Sequence, residues 1–166
     1  MATTYLQRTP SSDGNRRTWT FSAWVKRGSI GADTIFDVGT NGGNNYTPIF
    51  FVSDGTIRLY EVASGTLQSY NLITTRLFRD TSAWYHIVYT VDTTQATASN
   101  RIKLYINGVQ ETSFSTEVYP AQNYDTLKNS TSYANYIGRN SDNGGNVFNG
   151  SMSHIHFIDG TAYDAS

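Results

Sequence analysis

The chain has 166 residues, enough to bury one sizeable core and too few for two domains of ordinary size, so a single domain over 1–166 is expected. Charged residues make up only 15% and hydrophobic ones 38%, with Thr, Tyr, Phe, Val and Ile prominent, which argues against a helical bundle and for pleated sheet. With 12 Lys and Arg against 13 Asp and Glu, the chain has no broad basic surface for nucleic acid, and the absence of cysteine excludes disulfides, thiolate metal sites and a cysteine nucleophile.

Period-two alternation dominates from residue 18 onward. Over 18–26, Trp19, Phe21, Ala23 and Val25 share one face and Ser22, Trp24 and Lys26 the other. Arg16-Arg17 and Lys26-Arg27 read as solvated strand ends. A short strand over 35–38 closes at Gly39, with Asp37 near its end. Residues 49–53 and 56–62 form a hairpin across Asp54-Gly55, a dipeptide suited to the positive φ angles of a tight turn. Strands are predicted over 84–91 (WYHIVYTV) and 101–106 (RIKLYI), joined by the polar loop 92–100. Asn107-Gly108 then turns the chain into a strand over 109–114. Residues 115–134 read as a polar surface excursion with one turn of helix. A last strand pair starts at Tyr136 and ends near Ile158, around the Asn- and Gly-rich loop 140–146.

Many short strands with frequent turn signals, and no segment patterned as a crossover helix, give an all-β, two-sheet antiparallel sandwich. No apolar run reaches 18 residues, and Met1-Ala2-Thr3-Thr4-Tyr5 lacks the pattern of a signal peptide, so no membrane insertion is expected.

The succession TWTFSAWVKRG, IFDVG, WYHIVYTVD, KLYINGV, YIGR and FNGSMSHIHFIDG resembles a laminin G-like, concanavalin A-like jelly roll over nearly the whole chain. The segments YLQRTPSSDGNRRTWTFSAWVKRG, DTTQATASNRIKLYINGVQ and HIHFIDGTAYDAS are more narrowly similar to lectin-like modules in structural proteins of marine tailed bacteriophages. That resemblance implies a virion location, in a fibre, appendage or decoration, with host-surface glycan, other virion proteins or a second copy of the chain as partners. Such modules continue past this closing segment, so the stop at Ser166 points to a short gene product or an excised module. The resemblance also places Trp84 and Trp19 in the core.

The chemistry of the residues favours binding over catalysis. The glucanases of this fold carry their carboxylates in a Glu-x-Asp-x-Glu run on one strand face, and here Glu61, Glu111 and Glu117 stand apart. The sharper candidates are two loops. Asn41, Asn44 and Asn45 with Tyr46, and Asn140, Asp142, Asn143 and Asn146, offer amides that donate to and accept from sugar hydroxyls, beside a ring on which a pyranose can stack. Asp37 and Asp142 are the candidate ligands for calcium, a possible cofactor of such loops. His154 and His156 are candidate metal ligands on a strand face.

Overall fold

The computed structural model describes residues 4–40, 43–142 and 144–165, with the backbone alone for 66–68. In chain order the strands are β1 (Leu6–Arg8), β2 (Thr18–Arg27), β3 (Asp33–Gly39), β4 (Ile49–Phe51), β5 (Ile57–Ala63), β6 (Thr66–Thr74), β7 (Tyr85–Asp92), β8 (Ile102–Ile106), β9 (Val109–Glu111), β10 (Phe114–Val118), β11 (Ala134–Ile137) and β12 (Gly150–Asp159). One sheet runs β1-β11-β3-β4-β5-β6-β10 and the other β12-β2-β7-β8-β9. Their pairings are antiparallel throughout, as in the expected jelly-roll sandwich.

The core fills the space between the sheets because the alternation of β2 and β7 points one set of side chains inward. Trp19, Phe21, Ala23 and Val25 from β2, and Ile87, Tyr89 and Val91 from β7, are buried against Phe36, Ile49, Phe51, Ile57 and Leu59 of the opposite sheet. Phe21 stacks on Phe36 across the gap at 4.7 Å between centroids. Each such side chain contributes about 1.5 to 3 kcal/mol by burial.

Several expectations are corrected. β6 had no counterpart in the sequence reading; it follows β5 through Ser64 and Gly65, whose φ angles of 55° and 69° make the tight turn. The strand expected over 109–114 is two strands: β9 pairs with β8, and β10 crosses to pair with β6 in the other sheet. The expected excursion over 115–134 therefore begins as sheet, and it then turns inward, with Thr126, Leu127, Lys128 and Ser130 buried. The helical turn expected there lies at Ala98–Asn100 instead, among the described residues. Arg27 is no solvated strand end. It is buried, donates to the Phe78 and Gly31 carbonyls at 2.9 and 2.6 Å, and lies over the Phe51 ring at 4.4 Å.

Candidate functional site

The two Asn-rich loops meet at one rim of the seven-stranded sheet, tied together by Asp37. This residue lies within β3, fully buried, rather than at the strand's end, because the loops roof the outer side of β3. Its Oδ1 accepts from the backbone N–H of Val38 and Thr47 at 2.8 and 3.0 Å, and its Oδ2 accepts from that of Ser141 at 2.6 Å. One carboxylate thus anchors the end of the first loop, at Thr47, and the start of the second, at Ser141. Burial pushes its pKa up to about 6, against the opposing pull of the Ser141 and Val38 N–H groups and the Lys128 charge.

Within the rim, Asn44 is exposed. Asn45 Oδ1 accepts from Ser64 N–H at 2.8 Å, and Tyr46 pairs with Val62 through its backbone while its half-buried ring meets Tyr60 edge-on at 5.8 Å. Asn140 is buried, and its Oδ1 accepts from Asp142 N–H at 2.7 Å. Asp142 is half-buried and Asn146 exposed, the latter with φ 47° and its carbonyl accepting from Thr34 N–H at 2.8 Å. Asn41 and Asn143 lie outside the described residues. The rim thus presents Asn44 and Asn146 to solvent, while Asn45 and Asn140 hold the loops in shape.

Behind the rim is a buried polar network. Lys128 Nζ donates to Thr47 O and Oγ1 at 2.7 and 2.8 Å and lies 5.2 Å from the Trp19 ring centroid. Thr47 Oγ1 shares a hydrogen bond with Tyr70 OH at 2.6 Å, to which Tyr89 OH donates at 3.0 Å. Burial lowers the Lys128 pKa to about 8, partly offset by Glu61 and Asp37, and burial raises that of Glu61. Glu61 accepts from Tyr124 OH at 2.6 Å and Leu127 N–H at 3.0 Å. It is a core residue rather than one lining a cleft. Glu111 lies 4.0 Å from Arg76 and Glu117 accepts from Tyr119 OH at 2.7 Å, each on a different strand.

Among the described residues no cluster of three His, Asp or Glu side chains forms a cation site. Both Asp37 oxygens accept from backbone N–H groups. His154 and His156 are both exposed, on a strand whose register shifts between Ser153 and His156.

The outer face of the five-stranded sheet corrects the placement of Trp84. It is 40% exposed, as is Trp24, whereas Trp19 is fully buried. The reason is parity: Tyr85, Ile87, Tyr89 and Val91 take the inner face, so Trp84 falls on the outer side with His86. Trp24 pairs with His86 across β2 and β7, and their rings stack at 4.9 Å and 16°. Ser22 Oγ lies 3.0 Å from His86 Nε2, and burial holds the His86 pKa below its ordinary value. Trp24, Trp84, Ser153 and His154 line a shallow cleft of about 230 Å³. The inner-face run of WYHIVYTV was the signal that could have set Trp84 outside. A larger cavity of about 540 Å³ opens beside β1, lined by Leu6, Phe36, Ile137 and Phe157 with Asp13 and Asp159 at polar positions.

Residues 2–164 match a laminin G family model described as the Concanavalin A-like lectin/glucanases superfamily. No curated protein matches the chain. Among solved structures, the chain is similar to the Ruminococcus gnavus IT-sialidase CBM40, with a TM-score of 0.66 at 14% identity, covering 92% of this chain and 91% of that one. It is also similar to a SAP-like pentraxin from Limulus polyphemus, with a TM-score of 0.63 at 17% identity, covering 96% and 71% of the two chains. A third similar structure is the mouse laminin alpha1 chain, domains LG4-5, with a TM-score of 0.63 at 12% identity, covering 97% of this chain and 40% of that one. The sialidase module has also been solved bound to alpha2,3 sialyllactose. At these identities the likeness is one of fold.

Proposed function

Because the chain belongs to the concanavalin A-like lectin/glucanases superfamily, we propose that it is a non-catalytic recognition module that binds a host-surface glycan, carried in a tailed-phage virion. The observation that carries this reading is the rim. Asp37 holds two loops against the outer side of β3, and each loop leaves one asparagine open to solvent, Asn44 in the first and Asn146 in the second. Exposed amides on backbone held in this way can donate to and accept from sugar hydroxyls. Sites of this kind live in loops grafted on a common scaffold, and the glycan-bound sialidase module of the same fold supports the ligand class. Hydrolysis is disfavoured, since Glu61, Glu111 and Glu117 are each engaged on separate strands.

The test is a broad glycan array probed with the full chain and with an Asn44→Ala/Asn146→Ala variant. Saturable binding that drops at least tenfold in the variant supports the rim, and no bound glycan overturns the reading. Antibody labelling of purified phage particles tests the virion placement. An assembly or decoration role is the second reading. It draws on the exposed strand faces and the 115–134 excursion; burial of Thr126, Leu127, Lys128 and Ser130 takes part of that excursion away and leaves exposed strands such as β1, β10 and β12.

A further inference from the structure

We infer that the outer face of the five-stranded sheet carries a second saccharide-binding surface, separate from the rim, on which the indoles of Trp24 and Trp84 stack against a pyranose ring. This shares with the rim reading only the class of ligand. Two tryptophans, each 40% exposed, line one cleft of about 230 Å³. Large aromatic faces left in water on a sheet are a cost unless something covers them.

The surroundings decide what that something is. The same face is closed further along by the C-terminal segment. Thr20 Oγ1 donates to Thr161 O at 2.8 Å and accepts from Tyr163 N–H at 2.9 Å, while Thr90 Oγ1 donates to Tyr163 O. Consistent with that cover, Thr20, Val88, Thr90 and Tyr105 are buried although they point outward. What remains open is the end of the sheet bearing Trp24 and Trp84. That opening is bordered by Ser153 and His154, with Ser22 and His156 beside them, polar groups that a purely apolar protein or membrane contact would leave unpaired. The cleft is also smaller than those that enclose a drug-sized molecule. The open face of Trp24, whose other face His86 covers, and the Trp84 indole, with hydroxyl and imidazole groups beside them, suit one sugar ring, whose C–H face meets the indoles and whose hydroxyls meet those groups.

The bulge of β12 serves this geometry. Its register shifts between Ser153 and His156, and His154 takes φ 48°, a left-handed conformation unfavourable for a residue with a Cβ. The extra residue is turned to the lip of the cleft, where Ser153 Oγ holds His154 Nδ1 at 2.7 Å.

The experiment uses the full chain on an array of immobilised glycans, then the free oligosaccharide of the brightest spot, with Trp24→Ala and Trp84→Ala variants beside the Asn44→Ala/Asn146→Ala rim variant. Thermal melts and near-UV dichroism identify folded variants, and Trp84→Ala, just ahead of β7, serves if Trp24→Ala does not fold. The chain has three tryptophans and Trp19 is buried, so acrylamide quenching of fluorescence reports Trp24 and Trp84 directly. The inference expects the oligosaccharide to protect the wild type from acrylamide. It also expects the tryptophan variants to bind about tenfold more weakly, the effect of losing one stacked aromatic, with the rim variant still protected. Array binding lost only in the rim variant, with unchanged quenching, overturns the second surface and leaves the rim reading standing. No glycan bound by the wild type overturns both. A dimer seen by sedimentation that dissolves in Trp84→Ala makes the face a protein contact and overturns this inference alone.

Discussion

Asp37 shows how much one side chain decides here. Its carboxylate is fully buried and accepts three backbone N–H bonds, which together fix the return of the first rim loop and the start of the second. Burial raises its pKa from the ordinary 3.8 to about 6. The folded state therefore holds a proton that the unfolded chain has already released between those values, so this residue's stabilising effect is complete below about pH 3.8 and is lost as pH rises to about 6. The exposed carboxylates Asp54, Asp80 and Asp125 are shifted down by their hydrogen bonds and act in the opposite sense, below the ordinary range. Urea denaturation should show stability falling from pH 4 to pH 6. Asp37→Asn should flatten that slope and cost about 1 to 3 kcal/mol, because an amide NH2 then faces an N–H it cannot accept. A slope unchanged in the variant would place the titration elsewhere. In the sequence IFDVG nothing distinguishes this aspartate from a strand-ending one. Its burial comes from loops of low hydrophobicity that fold over it, which alternation within a strand cannot reveal.

At the scale of elements, β12 is the most constrained edge. Gly150 begins it with φ 154°, and a Cβ there would stand 2.1 Å from the Lys26 carbonyl and 3.1 Å from the Arg27 Cα. Backbone, rather than a flexible side-chain tip, is in the way, so the first pairs of β12 with β2 would have to open. Gly150→Ala should cost about 2 kcal/mol or more in a thermal or urea melt, while Gly160→Ala, with open space around its Cβ but a φ of 75°, should cost about 1 kcal/mol. Equal, small losses at both positions would refute the close approach. Elements with clean alternation, β2, β5, β7 and β8, were legible in the sequence, as was the Asn107-Gly108 turn. β10 was not, because Phe114–Val118 alternates weakly and earns its place by pairing with β6, itself unread although Ser64-Gly65 marked its turn. Trp84 was misplaced for a different reason: resemblance to a family outranked the parity of its own strand.

For the whole molecule, the two sheets are joined by more than apolar packing. Residues 126–130 reach into the sandwich, where Thr126 Oγ1 accepts from Trp19 Nε1 at 3.1 Å, and Lys128 sits against rings of both sheets, Trp19 and Tyr89 on one and Phe36 on the other. The cation of Lys128, hydrogen-bonded to Thr47 with Asp37 and Glu61 near enough to act on its charge, occupies the interior behind the rim, where a bound ion would otherwise be the means of gathering carboxylates. Because Asp37 accepts from N–H groups and Lys128 supplies positive charge, we propose that the rim keeps its shape without a divalent ion. EDTA should therefore leave the melting temperature unchanged within about 1 °C, and added calcium should not raise it, since a ligand that binds only the folded state stabilises it increasingly as its concentration exceeds its dissociation constant. A calcium-dependent rise in melting temperature would mean that Asp142 and the loop carbonyls assemble a site with residues outside those described. Glycan binding that was insensitive to EDTA would then be carried by amides, hydroxyls and aromatic faces alone, which is the chemistry that both the rim and the Trp24–Trp84 face present.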